Sequence, residues 1–187
     1  MPQQPLNRRT LLKLGSSGVM AALAGAATAP LLAAARANRD EGTFQNLSQA
    51  LGLTLEAITA RILPTTDTPG AREAGAVWFI DAMAAGPIAP LLSSLREGAA
   101  SLDQASGGSF AGLSDAEQDV QLRSIEDTEF FASMHMLTLA GTFTMSSYGG
   151  NRGEVGWDIL GFERRHHWEL PFGYYDAQVH GVQESAQ

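Results

Sequence analysis

The chain is 187 residues long, contains no cysteine and one lysine, and sets 20 acidic against 12 basic residues. Without thiols it forms no disulfide, attaches no c-type haem, holds no iron–sulfur cluster through thiolates and has no cysteine nucleophile. A formal net charge of −8 sets it against phosphate backbones, which argues against a nucleic-acid partner.

The first element is a leader. Arg8, Arg9 and Lys13 form a positive n-region, and the next charge is Arg36, so residues 14–35 are an uncharged run rich in Ala, Gly and Leu. The stretch NRRTLLK at 7–13 resembles the twin-arginine motif, whose arginine pair is read by the receptor of a route that exports folded proteins. A periplasmic location follows from that reading. A run this long also has the length of a membrane span, about 20 residues, and an uncleaved helix over 14–35 would tether the protein. Weakly apolar alanines and glycines, interrupted by Pro30, favour the leader. Ala35-Arg36-Ala37 places small residues about a cleavage point and divides the chain into a leader, 1–37, and a single domain, 38–187. Because Arg8, Arg9, Lys13 and Arg36 all fall in the leader, the domain sets eight basic against 20 acidic residues, formally −12. It has no lysine for Schiff-base or phosphate-loop chemistry.

The domain reads as all-α, a small irregular helical bundle followed by a glycine- and aromatic-rich extended segment. Leu51, Leu55, Ile58 and Ile62 recur at helical spacing, with Thr54 as a candidate N-cap and Pro64 as the stop. LPTTDTPGAREAG at 63–75 describes a fixed loop, its two prolines and its Thr and Asp side chains suited to binding their own backbone. A second helix is predicted from Ala71 or Gly75 through Met83, ended by Gly86 and Pro87. A third begins near Ile88, since Ile88, Leu91, Leu92, Leu95 and Leu102 share a face. ASGGSFAG is a loop. Ser114 and Glu117 form a capping box that starts a helix at Asp115. The stretch from there to Met145, carrying Val120, Ile125, Phe130, Phe131, Met134, Leu137 and Phe143, reads as the central buried helix, broken near Asp127.

Beyond Tyr148 the character changes. Gly149, Gly150, Gly153, Gly156 and Gly161 punctuate a segment that goes on to Trp157, Phe162, Trp168, Phe172, Tyr174 and Tyr175, where regular helix is disfavoured across 149–156. The glycine spacing does not make G-x-G-x-x-G and no strand precedes it, so the loop reads as a shaped turn presenting Asn151, Arg152 and Trp157 rather than a dinucleotide cradle. Glu163 and His167, four residues apart, would share a helical face and offer two metal ligands, with His166 turned away and His180 and Asp176 as further candidates. Such a cluster would make the chain a free-standing periplasmic metal-binding protein or enzyme; the plainer reading is surface or interface groups beside an acidic partner, since a metal centre needs a complete ligand set and its supporting shell. Met134, His135 and Met136 cannot grip one haem iron, because neighbours on a helix point about 100° apart. A methionine-rich core with one satisfied histidine explains them. No G-x-S-x-G elbow marks Ser146 or Ser147 as a nucleophile, and Glu126, Asp127 and Glu129 read as a solvated face.

The twin-arginine leader, RILPTTDTPGA at 61–71 and YGGNRGEVGWDILGF at 148–162 together resemble the gluconate 2-dehydrogenase subunit 3 family, the small subunit of periplasmic flavin-dependent sugar dehydrogenases. The resemblance implies a chain with no catalytic residue and no cofactor of its own. FAD would sit in a separate catalytic subunit of the glucose-methanol-choline oxidoreductase type, in some assemblies joined by a multihaem cytochrome c. This chain would supply the export leader, Arg8, Arg9 and Lys13, for a flavoprotein that folds around FAD before export, and would stabilise it afterwards. Too few regular apolar positions surround the late aromatics to bury them all, so Tyr148, Asn151, Arg152, Trp157, Phe162, Phe172, Tyr174 and Tyr175 are expected at the partner interface, with Arg152 and Trp157 as anchors.

Overall fold

The computed structural model describes residues 42–162. The leader residues Arg8, Arg9 and Lys13, the Glu163/His166/His167 group with Asp176 and His180, and Phe172, Tyr174 and Tyr175 lie outside the described residues. Those described fold as an all-α unit without strands. Its helices are α1 (Gln49–Ile62), α2 (Ala71–Ala74), α3 (Ala76–Ala84), α4 (Leu92–Ala105), α5 (Asp115–Ser124), α6 (Glu129–Phe143) and α7 (Val155–Ile159), with short 3-10 turns before α4, α5 and α7 and after α6.

The centre of the bundle is α3, which buries Val77, Phe79, Ile80, Asp81, Ala82 and Met83 and packs against α1 and α6. The sequence reading places the centre in the stretch that ends at Met145. The break expected near Asp127 is there, at Ile125–Thr128, but neither of the two helices it separates is the central one, and Val120 on α5 is exposed. A helix that is apolar all round has to be surrounded, and AVWFIDAMA meets that condition better than α6, which buries one stripe formed by Met134, Leu137, Thr138, Gly141 and Thr142. His135 lies on the opposite, exposed side of α6 and is not a core histidine.

Helix boundaries follow local chemistry. Ser48 caps α1, its hydroxyl accepting the Leu51 N–H at 3.3 Å. Thr54, with the same capping chemistry, is buried in mid-helix and donates to the Asp103 carboxylate at 3.2 Å. Leu47 and Leu51 are already buried, so the apolar face begins a turn before Thr54 and the cap moves with it. Of the two starts predicted for the second helix, Gly75 is the one α3 takes; its left-handed conformation (φ 69°, ψ 39°) closes the separate turn α2 begun at Ala71 and starts α3 in a new direction. The capping box at Ser114 forms as expected, Glu117 accepting the Ser114 N–H at 2.9 Å. Phe110, within the expected loop, is fully buried in a 3-10 turn whose first N–H reaches Asp103 at 2.9 Å.

Two charged side chains tie elements together. Arg61 at the end of α1 donates to Asp119 (2.7 and 3.0 Å) and Asp115 (2.6 Å) on α5. The Arg61 hydrogen bond holds the Asp119 carboxyl below its usual range. Asp81, 2% exposed on α3, accepts the backbone N–H groups of Gln45, Asn46 and Leu47 at 2.9–3.2 Å, while Asn46 Nδ2 donates back to the Asp81 carbonyl at 2.8 Å. Phe44 stacks on Trp78 with ring centroids 4.5 Å apart. The segment that leads into α1 is therefore seated on α3 by one carboxylate and one ring.

Asp81→Ala leaves three amide donors without an acceptor and is expected to cost about 3 kcal/mol in urea unfolding of the full chain. Glu126→Ala, on the exposed side of the α5–α6 junction, should change stability by less than about 0.5 kcal/mol. Equal midpoints for the two variants would show that segment 45–47 is held by something other than Asp81.

Candidate functional site

The site is built on the C-terminal end of α6. The last carbonyls of a helix have no partner within it and must find donors elsewhere. Ala140 O accepts the Thr144 N–H at 3.0 Å, Gly141 O the Asn151 N–H at 2.8 Å, and Phe143 O the Trp157 indole N–H at 2.8 Å. The Asn151 side chain completes the set: Nδ2 donates to Thr144 O and Oδ1 accepts the Gly156 N–H, both at 2.8 Å. One side chain thus brackets the end of α6 to the start of α7.

This closure brings backbones into contact. A Cβ on Gly150 would lie 2.0 Å from Gly141 O, and one on Gly156 would lie 2.0 Å from Thr142 O, so neither position admits a side chain. Asn151 itself is left-handed (φ 43°, ψ 51°), a conformation Asn tolerates better than most residues. Glu154 adopts it too (φ 62°), at about 1 kcal/mol that the surrounding turn has to offset.

The loop is the shaped turn expected from the sequence, with one correction. Asn151 is 0% exposed and both ends of its amide are engaged within the chain, so it shapes the loop and presents nothing to solvent. Its polarity suggested a surface role, yet the carbonyls left over at the end of α6 require a buried donor there. A signal was available: an Asn among glycines just after an apolar helix has the chemistry of a C-terminal cap. Arg152 is exposed, Tyr148 is half-buried against the core, and Trp157 is half-buried with its indole N–H engaged. Phe162 meets Trp157 edge-on at 5.3 Å and is half exposed. Met145 and Leu160, which the sequence reading did not single out, are exposed as well, Leu160 at 63%. The loop keeps the Asn151 amide inside and exposes Arg152 and Asp158 beside Leu160 and Phe162.

On its other flank the loop touches α2. The Arg152 Cβ comes within 3.9 Å of where a Cβ on Gly75 would sit. Into α2 runs the loop 63–70, closed by the Ala71 N–H on Leu63 O at 2.9 Å and by Glu73, which accepts the Thr65 hydroxyl at 2.6 Å and the Gly70 N–H at 2.8 Å. The Thr65 hydroxyl first, and the Gly70 amide second, hold the Glu73 carboxyl below its usual range. Elsewhere, a shallow recess of about 240 Å³ lies between the end of α1 and α5–α6, lined by Arg61, Ile62, Asp119, Leu122, Arg123, Glu126 and Phe131. Its arginine at position 61 is already committed to two carboxylates. Among the described residues no three His, Asp or Glu side chains converge as a metal site, and no single helix is long and apolar enough to cross a membrane.

The profile of the gluconate 2-dehydrogenase subunit 3 family matches residues 51–163, more than half of the chain. The chain belongs to this family. The matched span holds both loops that flank α2, at 63–75 and at 148–162, and excludes the leader and the tail with Phe172, Tyr174 and Tyr175. Neither the curated proteins nor the solved structures contain a match to the chain.

The close approach at Gly156 makes a sharp prediction for this subunit 3 chain. Gly156→Ala should push α7 away from α6 and lower stability by about 1–3 kcal/mol, read as a drop in melting temperature by circular dichroism. Gly86→Ala, with nothing within 4 Å of the added carbon, should leave the melting temperature unchanged or slightly raised.

Proposed function

We propose that this chain is the non-catalytic small subunit of a periplasmic, FAD-dependent sugar or polyol dehydrogenase. The observation that carries the reading is the family match over residues 51–163, which makes the chain a subunit of a dehydrogenase assembly. In this reading residues 1–37 are a twin-arginine leader and 38–187 one partner-binding domain. The catalytic subunit is a flavoprotein of the glucose-methanol-choline type that holds FAD, with a multihaem cytochrome c as a further partner in some assemblies. This chain binds no cofactor. Its role is to carry the export address for a passenger that folds around its flavin before export, and to hold that passenger stable afterwards.

The geometry supports this division of labour. A loop whose backbone is fixed from within by Asn151 and Trp157, and whose outside exposes Arg152, Met145, Leu160 and part of Phe162, is suited to docking. Arginine and aromatic groups dominate binding energy at protein interfaces, so Arg152→Ala is expected to cost on the order of 2 kcal/mol of complex stability.

Replacing Arg8 and Arg9 together by Lys should strand dehydrogenase activity in the cytoplasm, because the receptor reads the guanidinium pair and lysine does not reproduce it. Substrate-dependent dye reduction in separated periplasmic and cytoplasmic fractions checks this; normal periplasmic activity rules out the export role. Leu160→Ser combined with Phe162→Ser should lower the yield of assembled dehydrogenase while the flavoprotein that survives keeps its Michaelis constant. A changed Michaelis constant at full yield would place the loop at the active site instead.

A further inference from the structure

The loop 63–70 is exposed at its tip and cross-braced by hydrogen bonds of its own. Thr65, Thr66, Asp67, Thr68 and Pro69 are all exposed, so burial of apolar surface does not hold them. They are fixed instead by polar and steric means. Pro64 and Pro69 restrict the backbone on either side of the tip. The Thr66 N–H donates to Thr68 O at 3.0 Å, the Thr66 hydroxyl donates to Asp67 Oδ1 at 2.9 Å, and Leu63 O accepts the Ala71 N–H across the base. A Cβ on Gly70 would lie 2.6 Å from both Leu63 O and Thr65 N, so the base of the loop closes only around glycine. Order without burial lowers the entropic cost of binding, and loops held rigid on a scaffold are where recognition groups concentrate.

The position of this loop gives it an occupant. It runs directly into α2, a single helical turn that packs on α1, α3 and α6 and also touches the 152–154 turn and α7. The tip, the exposed Arg72 and Glu73, and Arg152 are therefore continuous with the loop that the proposed function assigns to the flavoprotein. The chemistry of the tip differs from that of Leu160 and Phe162 on that loop. The tip offers three hydroxyls and one carboxylate and no cation.

We infer that Thr65–Thr68 is a second recognition element for the same flavoprotein, received by a cationic, hydrogen-bond-donating recess in which an arginine or lysine pairs with Asp67. The inference rests on the proposed function and adds to it the chemistry of the partner's surface. Leu160 and Phe162 provide contact area, and the tip selects a partner of complementary charge.

The test recovers the affinity-tagged full chain from its native host and measures FAD retained per chain, with the melting curve of each variant taken in parallel. The wild-type chain should retain FAD near one per chain. Asp67→Arg should retain at least tenfold less with an unshifted melting curve, because the side chain is exposed. Asp67→Asn, isosteric and uncharged, should show a smaller loss, and Gly70→Ala a loss although every recognition group is intact. Wild-type FAD retention by Asp67→Arg, alongside a loss in Leu160→Ser/Phe162→Ser, overturns this inference and leaves the proposed function standing. Absence of FAD from the wild-type chain overturns both. Self-association of the wild-type chain that Asp67→Arg abolishes, with FAD retention unchanged, would assign the tip to a second copy of the chain and overturn the inference likewise.

Discussion

The end of α6 sets the form of everything that follows it. Its last carbonyls have no partner within the helix and lie partly buried beside α3 and α7, and a backbone acceptor withdrawn from water needs a donor. Thr144, Asn151 and the Trp157 indole supply the donors in succession, and each fixes the chain at one more point. Gly150 and Gly156 then have to be glycine because the donors arrive only if the backbones come within van der Waals contact. The outward residues Arg152, Leu160 and Phe162 occupy their places because Asn151 occupies its own.

Segments without regular structure are held elsewhere by the same device. Asp81 gathers three amides of the segment before α1, and Asp103 joins the α1 hydroxyl of Thr54 to the amide of Phe110. Each is a single carboxylate serving two elements far apart in sequence. Hydrogen bonds to a charged acceptor contribute more than neutral ones and specify direction as well as proximity. Among the described residues α3 is the most enclosed helix, and these carboxylates fix connections that lie at the edge of its core.

Local signals were legible in the sequence where a few neighbouring residues decide the outcome. The Ser114–Glu117 box, the break before Glu129 and the stop before Pro64 all depend on chemistry within four residues. What failed depends on distant partners. Ser48 and Thr54 are equally good caps, and burial of Leu47 against the bundle chooses between them. The choice between Ala71 and Gly75 as the start of the second helix stayed open, because only the turn of α3 into the core decides it. His135 and Val120 sit on periodic stretches whose inward side is set by which helix becomes central, and periodicity alone does not rank helices. Asn151 is the instructive case: its type pointed to the right loop and to the wrong side of it.

Leu160 and Phe162 on one side of α2 and a polar tip on the other have different consequences for an assembly formed before export. Apolar and aromatic contacts act mainly on how slowly a complex dissociates, whereas complementary charge acts on encounter and on the rejection of wrong partners. If leader and active site are on separate chains, as the proposed function has it, both properties are needed. A complex that dissociates in transit separates the passenger from its address, and a leader attached to the wrong folded protein exports the wrong cargo. A domain with eight basic against 20 acidic residues already repels most of the acidic proteins around it. In the proposed assembly, a tip carrying Asp67 would extend that selection from the surface as a whole to one point, with the partner's cation set at a fixed distance from the surface that meets Leu160 and Phe162.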